Sequence, residues 1–161
     1  MNPRDKSIRH QQWNDYIFNE VVPFIRTNSS PDTMIYTCGA SFGALHSMNL
    51  FLKRPDIING VIAMSGVYDL TEYTKGHYDD DVYFNSPMHY MPNLTDHDVL
   101  EKIRSTHHLH IFSGSGAYED LTAAVALQEF FMIKRSIMNW IFGDRNGRMT
   151  GTHGEQFCHI I

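Results

Sequence analysis

The sequence predicts an α/β fold, a parallel β-sheet flanked by helices. Short apolar runs at Met34–Cys38, Gly60–Met64, Leu109–Phe112 and Met138–Phe142 read as strands. Helical stretches alternate with them, and strand–helix–strand alternation is the pattern of a doubly wound parallel sheet. The glycine-flanked turn Gly39-Ala40-Ser41-Phe42-Gly43 joins the first strand directly to a helix.

Residues 7 to about 27 carry a helical period, with Trp13, Ile17, Val21 and Phe24 predicted on one face. Pro23 should bend that helix near its end. Asn28–Asp32 is a turn. From Phe42 to Lys53 a second helix is expected, with Leu45, Met48, Asn49 and Leu52 facing inward and Pro55 and Asp56 ending it. Residues 66–95 are rich in Tyr, Asp, Asn, Pro and Gly and hold no lasting period, which suggests an ordered functional excursion or cap. Thr95 or Asp96 can cap a short helix running through Arg104. A strong helix is expected from Glu119 to about Lys134. Residues 1–143 are thus expected to form an α/β domain, and the polar, glycine-rich residues 144–161 read as an irregular tail.

Composition narrows the class. Of 161 residues, 42% are hydrophobic and 19% charged, enough apolar material for one core. A net charge of −5 with no Lys/Arg block argues against a nucleic-acid partner. The stretch Leu121–Ile133 is too short for a bilayer, so no membrane partner is expected. Residues 1–6 lack the apolar core of a leader peptide, and two cysteines, Cys38 and Cys158, argue against a disulfide framework. The expected compartment is the cytoplasm.

Chemistry concentrates at Ser41. A serine hydroxyl is a poor nucleophile at neutral pH unless a base is adjacent. A sharp strand-to-helix turn raises its oxygen above the sheet, and small residues two positions away on either side, Gly39 and Gly43, let strand and helix approach. The helix N-terminus favours developing negative charge, and the Phe42 N–H is a candidate oxyanion donor. Cys38, at the strand end, is expected in the core rather than reactive.

The segments Glu20–Ile25, Cys38–Ala44, Arg54–Asp56, Gly60–Asp69, Tyr83–Pro87 and Ile111–Asp120 together resemble the putative-esterase family of α/β-hydrolases, which includes esterase D and the feruloyl esterases. The resemblance implies the C-terminal half of an α/β-hydrolase fold, truncated at the N-terminus and divergent at the C-terminus. It implies a serine hydrolase acting on small-molecule carboxylic esters through an acyl-enzyme, with Ser41 as nucleophile. It also implies an acid near Gly116, for which Glu119 is the first choice and Asp120 the second. Both would equally suit the start of a helix. For the base it leaves His153, with His159 behind it. No cofactor is implied.

Strands preceding the elbow strand would supply a second oxyanion N–H in the complete fold. Losing one such donor costs about 2.7–4 kcal/mol of transition-state stabilisation, so weak activity is expected of the isolated chain. The same truncation would leave the first strand as an open edge and invite self-association. A non-catalytic remnant or interaction module keeping the fold is the alternative. His77, Asp79, Asp80, Asp81 and His89 match no common metal-ligand spacing and read as a polar rim, so no metal is expected. His110 reads as a satisfied core histidine.

Overall fold

The computed structural model describes residues 2–116, 121–133, 139–143 and 149–152. Helix α1 (Pro3–Tyr16) continues through a π-helical segment, Ile17–Val21, into α2 (Val22–Asn28). Strand β1 (Tyr36–Ala40), helix α3 (Phe42–Lys53) and strand β2 (Gly60–Met64) follow. The short helices α4 (Thr71–Thr74), α5 (Asp80–Tyr83) and α6 (Pro87–Tyr90) fill the aperiodic stretch, with a 3₁₀ turn at Met91–Asn93. Then come α7 (His97–Ser105), β3 (Leu109–Gly114), α8 (Leu121–Ile133), β4 (Asn139–Gly143) and β5 (Met149–Thr152).

Local chemistry accounts for most boundaries. Asn2 caps α1 by accepting from the Asp5 N–H, and Pro3 opens the first turn, where its missing N–H costs nothing. The π segment ends two residues before Pro23. The proline ring would collide with the carbonyl four residues back, and the widened turn relieves it. Asp96, one of the two expected caps, accepts from the N–H groups of Asp98 and Val99 at the start of α7.

The predicted apolar stripe is only partly the buried face of this helical run: Ile17 packs against the main core, but the aromatic members do not. Trp13 and Phe24 are 45% and 68% exposed, whereas Ser7, His10 and Asn14 are buried. Hydrogen bonding replaces apolar packing here. Asn85 Oδ1 accepts from Asn14 Nδ2 (2.7 Å) and from Lys53 Nζ (2.6 Å), and the Asn85 carbonyl accepts from Asn49 Nδ2 (2.8 Å). Lys53 Nζ also reaches Gln11 (3.2 Å), and Tyr90 donates to Asn49 (2.9 Å). Helices α1 and α3 and the loop before α6 are thereby joined through a network of hydrogen bonds centred on buried Asn85.

The sheet runs in the order β1-β2-β3-β4-β5, with the first four strands parallel and β5 antiparallel to β4. Strand β5 lies inside the stretch expected to be an irregular tail. Its pairing partner, β4, supplies the order that glycine-rich sequence alone does not specify. Thr37, Val61, Ala63, Leu109 and Ile111 turn to one face, where Val61, Ala63, Leu109 and Ile111 join Ala44, Met48 and Leu52 of α3 and Leu127 and Phe131 of α8 in the main core. The other face is partly exposed among the described residues. Tyr36, Ile62 and Met64 there are 43%, 37% and 37% exposed.

That partly exposed face corrects the expectation for Cys38, which is exposed rather than in the core. It shares the face with Ile62, its register partner on β2, and the alternation of a strand does not reveal whether the outer layer is covered. His110 is half-buried on the same face, its pKa lowered by burial and by neighbouring His108. Among the described residues no helix is long and apolar enough to cross a membrane.

Candidate active site

Ser41 stands between the last residue of β1 and the first of α3, with φ 53° and ψ −119°. These angles belong to a turn position that glycine ordinarily fills. A non-glycine residue there costs on the order of 1–3 kcal/mol, so its surroundings must hold it. The Ser41 N–H donates to the Met64 carbonyl at 2.9 Å, and its own carbonyl accepts from the Ala44 N–H at 3.1 Å. Ser41 is exposed despite these anchors, while Ala44 and Leu45, just below it, are fully buried.

The two flanking glycines are not equivalent. A Cβ on Gly39 would fall on the Gly43 carbonyl and 2.9 Å from the Ala44 nitrogen, so strand and helix touch backbone to backbone. A Cβ on Gly43 would meet nothing within 4 Å. The steric demand expected of both positions rests on Gly39. Gly66 makes a second close approach: a Cβ there would lie 2.5 Å from the Tyr68 ring and 2.8 Å from the Ala44 Cβ. Phe42, first in α3, has no carbonyl within the helix to receive its N–H.

Ser41 opens into a cavity of about 590 Å³, a size that suits a small organic ligand. One wall comes from α1 (Lys6, Arg9, His10, Trp13), another from α3 (Phe42, His46), and Leu70, Tyr73 and Thr74 close it from the excursion. Phe42 meets His46 and Tyr73 edge-on, each at 5.1 Å between ring centres. His10 and His46 stack at 4.1 Å with their planes 12° apart.

Burial disfavours the charged form of both histidines. Burial first, then the proximity of His46 and Lys53, takes the His10 pKa down to about 3, and burial lowers that of His46. The Asn49 amide lies 3.4 Å from His10 Nε2. An amide nitrogen only donates, so Nε2 is the accepting nitrogen of this contact, while Nδ1 is buried with no hydrogen-bond partner among the described residues. Neither histidine was singled out from the sequence. Ser7, His10 and Asn14 do fall three and four residues apart, a spacing that marks one helical face but is usually sought only among apolar residues.

Of the residues singled out from the sequence, Ser41 and Phe42 are adjacent at the cavity. Glu119, Asp120, His153 and His159 lie outside the described residues. The His/Asp cluster of the excursion is divided among separate contacts. His77 Nε2 pairs with Asp79 Oδ2 (2.7 Å), Asp79 Oδ1 accepts from the Val82 N–H (2.9 Å), and His89 reaches Asp69 instead. Among the described residues no three His, Cys, Asp or Glu side chains converge as a metal site.

The sequence matches the family described as "Putative esterase" over residues 2–156. Solved structures share the fold at low identity. A ferulic acid esterase aligns with TM-score 0.61 and 18% identity over 81% of this chain and 51% of its own. An S-formylglutathione hydrolase from Agrobacterium tumefaciens aligns with TM-score 0.57 and 12% identity over 81% and 48%. An acylaminoacyl peptidase from Pyrococcus horikoshii gives TM-score 0.55 and 14% identity over 82% and 22%. The chain thus spans about half the length of the two former enzymes. No match was found among curated proteins.

Two measurements test this geometry. Gly39→Ala should lower the unfolding free energy by about 2–3 kcal/mol through overpacking. Gly43→Ala should be neutral or stabilising by roughly 0.5–1 kcal/mol, because a helical glycine is replaced without a clash. Equal losses in urea unfolding would contradict the asymmetry. The second concerns pH. An unfolded histidine protonates near 6.5 and folded His10 only near 3, so the unfolded state holds the extra proton between those values. Stability is full above about pH 6.5 and falls as pH drops, by about 2 kcal/mol at pH 5 from His10 alone. Urea unfolding at pH 7 and pH 5 should show this loss, and His10→Gln should diminish it. An unchanged slope in that variant would count against the assignment.

Proposed function

The chain belongs to the putative-esterase family, and on that premise we propose that it is a serine hydrolase of small-molecule carboxylic esters, or the elbow-bearing part of one. The observation that carries this reading is the backbone of Ser41, held in a glycine-type conformation at the head of α3 and exposed beside a cavity. Strain of that kind persists where surrounding structure enforces it, and functional sites are where it concentrates. In the proposed reaction Ser41 Oγ attacks the ester carbonyl and the alcohol departs. Water then resolves the acyl-enzyme. The Phe42 N–H, free of a helical partner, would meet the oxyanion. Glu119, or Asp120 in its place, would orient the base, and His153 would be that base, assignments that rest on the resemblance alone. The cytoplasm is the compartment proposed, on the scarcity of cysteine.

The sheet favours a second element of this proposal. Strand β1 is at the end of the strand order, and the adjoining face presents Tyr36, Cys38, Ile62 and Met64. A strand edge beside apolar surface pairs readily with another strand, so self-association through β1 is proposed.

A fluorophosphonate probe should label wild-type protein at Ser41 and leave Ser41→Ala unlabelled there. A folded sample that takes no label would favour the non-catalytic reading. Sedimentation velocity across a concentration series should reveal a dimer that is weakened by Tyr36→Lys. A monomer at all concentrations would remove the self-association element and leave the hydrolase element standing.

A further inference from the structure

The excursion between β2 and α7 holds a second connected set of polar groups that the elbow chemistry does not use. The Tyr78 hydroxyl lies 2.8 Å from His89 Nδ1, and His89 Nε2 lies 3.2 Å from Asp69 Oδ2. The other oxygen of that carboxylate is fixed, accepting from both the N–H and the hydroxyl of Thr71 at 2.8 Å each. Burial alone would raise the Asp69 pKa, but the Thr71 and His89 contacts outweigh it and leave the carboxyl below its ordinary value.

With the His89 ring neutral, the connectivity gives each hydrogen bond one direction. An ionised carboxylate only accepts, so His89 Nε2 carries the proton. The neutral ring then presents Nδ1 as a lone pair, and the phenol donates to it. A hydroxyl, a neutral imidazole and a carboxylate in series are the arrangement by which a weak nucleophile is activated. Tyr78 is 54% exposed, so its oxygen can meet a reagent from solution, whereas His89 is more sheltered.

We propose that Tyr78, His89 and Asp69 form a second nucleophilic site, one that accepts an acyl group from an activated carboxylic ester. In the step, the phenol oxygen bonds to the acyl carbon as its proton passes to His89 Nδ1. The bond from that carbon to the leaving oxygen breaks, and the alkoxide or phenoxide departs. The imidazolium, stabilised by Asp69, returns its proton to solvent, and the product is an O-acyl Tyr78. The proposal stands apart from Ser41, since each residue carries its own modification.

Brief treatment of the full chain with excess 4-nitrophenyl acetate, followed by peptide mass spectrometry, reads acetylation residue by residue. Tyr16 is the internal reference, being 45% exposed and set against the Trp13 ring. Tyr78 should acetylate at least about 10-fold faster than Tyr16, a modest share of what a positioned base can supply. His89→Gln and Asp69→Asn should each bring Tyr78 toward the Tyr16 rate. Circular dichroism identifies any variant that fails to fold, and the wild-type ratio stands without either. Equal rates at Tyr78 and Tyr16 in wild-type protein would overturn the proposal. So would a fast Tyr78 that neither variant slows.

Discussion

Backbone contact between Gly39 and Gly43 is the constraint on which the rest of this molecule depends. It lets β1 end and α3 begin with one residue between them, which forces Ser41 into a conformation that side chains seldom adopt. The cost of that conformation is offset locally by the bond to Met64 on β2 and the return bond from Ala44. It is offset globally by α3, whose Ala44, Leu45, Met48, Phe51 and Leu52 are almost wholly buried. The helix cannot shift without losing that burial, worth about 1.5–3 kcal/mol for each large side chain. A packed core thus holds one exposed residue in place.

The two sides of α3 are served by different physics. Toward the sheet it is apolar, sharing the main core with Val61, Ala63, Leu109 and Ile111. Toward α1 it presents Asn49 and Lys53, whose partners are the side chain and carbonyl of Asn85. Burial draws the Lys53 pKa down to about 8 even though nearby Asp15 and Asp81 oppose the shift. The unfolded chain would protonate this amine more readily between about pH 8 and 10.5, so its contribution to stability grows as pH rises across that window.

The sequence was most informative where burial is apolar and local. Helix α3 from Phe42 to Lys53 and its inward set of Leu45, Met48, Asn49 and Leu52 stand as read, as does β2 from Gly60 to Met64. Strand β1 runs two residues later than its apolar run, because pairing with β2 carries Gly39 and Ala40, which have little preference for extended structure, into the ladder. The face of α1 was misread because its buried residues are polar and its aromatic ones are not covered. Cys38 was misread because a sheet's second layer comes from elsewhere in the chain or from another one. At the site, Ser41 announces itself through flanking glycines. The stacked His10 and His46 sit 36 residues apart, and only the docking of α1 brings them together.

The buried asparagine has a consequence for the cleft it does not line. Amides and ammonium groups add a demand for direction that apolar contacts lack. Asn85 receives one donor from α1 and another from α3, so turning α1 by a single residue about its axis would withdraw Asn14 and strand two buried groups. Lys6, Arg9, His10 and Trp13 ride on that same helix and therefore have one angular setting above the serine. The contour offered to a ligand is dictated from behind, by an amide that no ligand touches.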